Sequence, residues 1–77
     1  MDLVIRYYVV RDGDKVGRRT VKHVNNPDAL EELLSTHIVY EVELVEGTKA
    51  EVEAYNHWNS CQSDFVDLYS ALIEARR

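Results

Sequence analysis

The longest ordered pattern in the chain lies at its C-terminal end. From Ala54 onward, apolar residues fall at Trp58, Cys61, Phe65, Leu68, Leu72 and Ala75, in steps that alternate between four and three. That spacing predicts a helix holding one stripe against a partner. Tyr55, Tyr69 and Ile73 widen the stripe, so much of the helix should be buried. Its start is specified too. Thr48 and Glu51 have the spacing of a capping box, and Gly47 just before them lets the chain turn. We therefore read helix from Thr48 to Arg77, with a kink or break expected in Asn56 to Ser63, where helix propensity is weak. In a rival reading Glu51, Glu53 and Tyr55 alternate with Ala50, Val52 and Ala54 as a strand, followed by a helix from about Ser60. Ala, Glu and Lys favour helix over strand, which decides for the helix.

Period-two alternation marks the rest of the chain. Leu3 to Val10 is rich in Val, Ile and Tyr, and Lys15 to Val24 returns after the turn signal Asp12-Gly13-Asp14, which together predict a hairpin. Leu3, Ile5, Tyr7 and Val9 should share the core face with Val16, Thr20 and Val24. Val4, Arg6, Tyr8 and Val10 should share the other face with Arg19, Val21 and His23. Asn26-Pro27 opens a short helix with Leu30, Leu33 and Leu34 as its buried stripe, and Ser35-Thr36-His37 ends it. In the third strand, Ile38 to Val45, strict alternation puts Ile38, Tyr40, Val42 and Leu44 inward and Val39, Glu41, Glu43 and Val45 outward.

The pattern thus predicts an α+β fold in a single domain, residues 1–77: a small antiparallel sheet of three strands covered on one face by two helices, in the order ββαβα. The rival reading adds a fourth strand, ββαββα. Phe65, Leu68, Leu72 and Ile73 should pack on Ile5, Tyr7, Leu33 and Tyr40. The second sheet face would stay bare and carry more apolar surface than a monomer usually exposes. A 77-residue chain with one cysteine has no internal disulfide to reinforce a small core. A homodimer is therefore expected, with Tyr8, Val10, Val39 and Trp58 as the candidate interface.

Composition refines this picture. At 45% hydrophobic the chain is too apolar for disorder, and no apolar run is long enough for a signal peptide or a membrane span. With a lone cysteine, the expected setting is cytoplasmic. The net charge of −5 is unevenly distributed: residues 1–24 hold six basic against three acidic side chains, and residues 25–77 hold three against eleven. Such a division could pair charges across the sheet, or present an acidic face to a basic partner.

Candidate chemistry is sparse. His57 and Cys61 stand one helical turn apart, but His23 and His37 have no spacing relation to them, so no metal site is assigned. Cys61 lies on the apolar stripe, where a buried thiol is ordinary packing, and its acidic surroundings disfavour a thiolate. The carboxylate pairs Glu41/Glu43 and Asp64/Asp67 fall on solvated faces of a chain too small for a deep pocket. Gly13, Gly17 and Gly47 form no phosphate loop. No catalytic residue and no cofactor is assigned, and the chain is not expected to be an enzyme. Tyr8, Arg6, Arg19 and His23 could offer RNA an open sheet face, but the acidic remainder would repel phosphates.

The leading expectation is a non-catalytic acidic binding protein. Glu41 and Glu43 on one side of a strand stand about 7 Å apart. Such a row could occupy a basic, nucleic-acid-binding surface of a partner protein in place of phosphates, as phage host-takeover proteins do. Glu51, Glu53, Asp64 and Asp67 complete the candidate partner-binding set. The alternative is a homo-oligomerising assembly module.

Overall fold

The first strand, β1 (Asp2–Tyr8), runs through the middle of the sheet, with β2 (Arg19–Val24) antiparallel on one side and β3 (Ile38–Glu46) antiparallel on the other. Three helices follow the strands' connections: α1 (Asp28–Thr36) between β2 and β3, then α2 (Lys49–Cys61) and α3 (Phe65–Ala75). This computed structural model describes residues 1–10 and 17–76. The turn expected at Asp12-Gly13-Asp14, and the core position expected for Val16, lie outside the described residues. The fold is α+β with a three-stranded antiparallel sheet, in the order ββαβαα, so residues 49–58 are helical and the four-stranded alternative is excluded.

The expected single C-terminal helix is two. Thr48 caps α2 through the anticipated box: the Glu51 N–H donates to Thr48 Oγ1 at 3.2 Å, and the Thr48 N–H donates to Glu51 Oε1 at 2.7 Å. The helix stops after Cys61 because Gln62 takes a left-handed conformation, φ 53°. Asp64 then starts α3 by accepting the Asp67 N–H at 3.3 Å. The break falls at the end of the stretch that lacked helix formers. Cys61, expected on the buried apolar stripe, is exposed at the end of α2.

The two faces of the sheet follow from register. Leu3 pairs with Val24 and Leu44, and Ile5 with Lys22 and Val42, on the side that meets the helices. Leu3, Ile5, Leu30, Leu68 and Leu72 are fully buried in one cluster with Tyr7, Val24, Leu33 and Val42, and Leu34, Tyr55, Trp58 and Phe65 pack against it. In α1, Pro27 already has helical dihedrals and Asn26 Oδ1 accepts the Ala29 N–H at 3.1 Å, the cap that the Asn-Pro pair implied.

A bulge overturns part of the β3 assignment. Arg6 pairs with Glu41 but Tyr7 pairs with Val39, leaving Tyr40 as the extra residue. Alternation therefore reverses across it. Val39 turns to the core, where it was expected outward, while Ile38 and Tyr40 are exposed, where they were expected buried. Tyr40 instead meets Tyr8 on the outer face, ring centroids 4.8 Å apart. Val4 lies on that outer face too, yet only 6% of it is exposed, because it sits on the middle strand between His23 and Glu43.

Leu68 has no exposed surface and lies where helix and sheet layers meet. Leu68→Ala is expected to lower unfolding free energy by about 2–5 kcal/mol in chemical denaturation. An unchanged midpoint would remove Leu68 from the core.

Candidate protein-binding groove

Because β3 is an edge strand, one side of its backbone has no strand partner. The turn beginning at Gly47 brings α2 back along this edge. Tyr55 reaches across from α2 and donates its hydroxyl to the Val42 carbonyl at 3.1 Å. Its ring lies 5.8 Å from Trp58, and Trp58 lies 5.6 Å from Phe65 at the start of α3. The Trp58 indole N–H donates to the Asp64 carbonyl at 2.8 Å, which ties the end of α2 to the first turn of α3. A groove of about 340 Å³ remains between the edge and this aromatic row, lined by Tyr40, Glu41, Val42, Glu43, Tyr55, Trp58, Asn59 and Phe65.

The groove is negative at its rim. Glu41 and Glu43 are both exposed on the same side of β3, in register with Arg6 and Val4. Glu41 Oε1 stands 3.6 Å from Arg6 Nε. Partial burial raises the Tyr55 pKa above the ordinary tyrosine value, and the charges of Glu43 and Glu41 raise it further. Two carboxylates beside aromatic side chains at one edge form a surface suited to a guanidinium or ammonium group.

The other candidate acids are dispersed. Glu51 is buried, 5% exposed, and its carboxylate is taken by the Thr48 cap, so it cannot meet a partner. Glu53 is exposed but borders a different cleft, between α2 and α3, with Ala50, Ala54, His57, Ala71, Glu74 and Ala75. Asp64 lies beside the groove through its contact with Trp58, and its carboxylate caps α3. Asp67 is exposed in the first turn of α3 and does not line the groove. Tyr55 and Asn59 come to the groove through the return of α2 along β3, Phe65 through the helix break and Tyr40 through the bulge. Tyr55 and Trp58, three residues apart on one helix, were the one sequence signal for it.

The proposed interface residues separate as well. Tyr8 lies on the bare face, and Val10 is exposed with its N–H donating to His37 Nδ1 at 3.0 Å. Val39 and Trp58 are half-buried, packing against the core, and Trp58 also lines the groove. His57 Nε2 lies 3.7 Å from Cys61 Sγ, and among the described residues no third ligand joins them. No helix among the described residues is long and apolar enough to cross a membrane. The chain matches no family model, no curated protein and no solved structure.

Two tyrosines carry testable consequences. Tyr69, whose hydroxyl donates to Asp28 Oδ1 at 3.4 Å, has its pKa pushed up to about 12, first by the neighbouring Glu31 carboxylate, then by loss of hydration and by Asp28. A folded pKa above the unfolded value near 10 favours the protonated, folded state. That contribution is complete below pH 10 and is lost as pH rises toward 12. Tyrosinate absorbance should therefore show Tyr55 and Tyr69 ionising above the ordinary range, and Tyr69→Phe should remove the highest transition. A single transition at the model-peptide value would contradict both contacts. Thr48→Ala should cost about 1 kcal/mol of stability through the lost cap, measured by denaturation.

Proposed function

We propose that this chain is a non-catalytic binding protein that holds a basic segment of a partner protein in the groove along β3. The observation that carries the reading is Glu41 and Glu43 standing on the rim of a groove whose walls include Tyr40, Tyr55, Trp58 and Phe65. Carboxylates supply long-range attraction and orientation, and the aromatic side chains supply the area a cationic side chain can lie on. A protein that covers a basic surface acts as an inhibitor or regulator of whatever that surface binds, nucleic acid included. The RNA-binding reading is weaker. Arg6 is paired with Glu41, and two exposed carboxylates share the sheet face with Arg19 and His23.

Trp58 is the chain's single tryptophan and lines the groove, so its fluorescence reports occupancy directly. An arginine-rich peptide added to dilute protein should change Trp58 emission saturably, and an acidic peptide of equal length should not. The effect should weaken with salt, since exposed charges are screened over about 10 Å at 0.1 M. Glu41→Lys with Glu43→Lys should abolish it while leaving the melting temperature nearly unchanged, because exposed charges contribute little to stability. Arg19→Glu should leave it intact. Binding that survives reversal of both glutamates, or that Arg19→Glu alone destroys, would move the contact away from β3.

A further inference from the structure

We propose that the groove takes its basic segment in extended form, as a short strand added along β3 between Glu41 and Leu44. This rests on the groove's role as a basic-segment site and adds the form and residue order of the ligand. Glu41 and Glu43 pair with Arg6 and Val4, and so project on the bare face of the sheet. Tyr55, Trp58 and Phe65 belong to the helical layer on the other face. The acidic wall and the aromatic wall of the groove thus stand on opposite sides of the sheet, with the edge of β3 between them. A helix or compact turn resting on one wall leaves the other. An extended chain lying along the edge meets both, because its successive side chains point to opposite faces. Two residues of a strand advance about 7 Å, so cations at alternate positions keep step with Glu41 and Glu43. The residues between them pass the aromatic row.

The backbone of β3 is directed for such pairing. In an antiparallel ladder the N–H and C=O of one residue point to the same side, and successive residues alternate. The Val9 N–H donates to the Arg18 carbonyl at 3.1 Å, and the Gly17 N–H donates to the Val9 carbonyl at 2.9 Å. Val9 therefore turns its backbone groups toward β2, and by alternation so do Tyr7, Ile5 and Leu3. Val42 and Leu44, which stand opposite Ile5 and Leu3, turn theirs to the free edge. The Tyr55 hydroxyl occupies part of that edge. It donates to the Val42 carbonyl at 3.1 Å, and the Leu44 N–H is directed at the same oxygen. One side chain thus holds groups that a neighbouring strand would otherwise bond. A bound segment takes these groups over from the hydroxyl, and the Tyr55 ring stays in the aromatic row. Main-chain bonds then supply affinity, and the two walls read alternate side chains.

The same features limit what is added. Register shifts between Arg6 and Tyr7 and between Asp2 and Leu3 leave Glu41 to Leu44 as the regular stretch of β3, so only a short strand finds matching backbone groups. Like charges directly opposite one another on neighbouring strands are unfavourable, and opposite charges are favourable. The acids that hold other strands off the edge therefore admit one that brings Arg or Lys opposite them. Glu41 already makes this kind of pair on its other side, where Arg6 Nε stands 3.6 Å from its carboxylate. The preferred ligand alternates basic and apolar residues, its cations on the bare face and its apolar side chains against Tyr55, Trp58 and Phe65.

Two peptides of identical composition test this, one alternating Arg and Val and one holding its Arg and Val in separate blocks. Each is titrated into the full chain with Trp58 emission as the readout. The alternating peptide should bind about tenfold or more tightly than the block peptide. N-methylation of every second residue removes the backbone donors of one set. It should abolish binding when placed on one of the two sets, Arg or Val, and be tolerated on the other, since only one set faces β3. Tyr55→Phe keeps the ring and frees the Val42 carbonyl, so it should bind the alternating peptide severalfold more tightly. Circular dichroism melting confirms that this variant folds. Equal binding of the two residue orders, both lost with Glu41→Lys and Glu43→Lys, would overturn the added strand and leave the basic-segment groove standing. Equal effects of the two methylated sets, or no gain from Tyr55→Phe, would overturn the strand as well. Failure of both peptides to move Trp58 emission would remove the groove itself as a basic-segment site.

Discussion

Leu3 and Ile5 on the sheet and Leu68 and Leu72 on α3 are the residues whose removal from water the rest of the structure depends on. Burying each such side chain contributes about 1.5–3 kcal/mol, a large share of the stability available to a small domain. The requirement explains the break in the C-terminal helix. Continuous helix from Lys49 to Ala75 would run about 40 Å, longer than the roughly 30 Å of the nine-residue strand β3. The turn at Gln62 folds the second half back beside the first, so that Leu68 and Leu72 reach the same cluster as Leu30 and Leu33. A left-handed non-glycine residue is tolerated there because Asp64 and Trp58 hold the chain on its far side.

With all helical material on one face, the boundaries of that layer become the places where contact with other molecules is possible. At the β3 edge the helices end incompletely. Tyr55 satisfies one edge carbonyl, and the aromatic row beside it leaves a groove instead of a sealed seam. The exposed carboxylates of Glu41 and Glu43 protect this edge against pairing with other strands and set the sign of anything that approaches. On the other side of the sheet the uneven charge distribution of the chain becomes spatial: β2 brings its basic residues to one edge and β3 its acids to the opposite edge. Arg6 and Glu41 pair across the line between them. One strand thus carries both the groove's rim and the acidic edge of the bare face.

Much of this was legible in the residue pattern. The strands, the short helix after Asn26-Pro27, the capping box at Thr48 and the inward set Leu3, Ile5, Tyr7 and Val24 all follow from local chemistry: propensity, alternation and hydrogen bonds between near neighbours. Glu41 and Glu43 could be placed on one side of a strand for the same reason. Three things required tertiary structure. The bulge at Tyr40 reverses which side of β3 is buried, since register is settled by pairing with β1 and not by β3's own alternation. The site of the break decides that Cys61 is exposed, because a seam of steps of three and four reads the same whether its helix is continuous or folded back. Sequence alone also counts Glu51 among the surface acids, and only the packed turn at Gly47 buries it against its own cap. Local spacing identified the strands, the short helix and the helical character of the C-terminal third. How those elements pair, fold back and cover one another was decided by long-range burial, which local spacing does not encode.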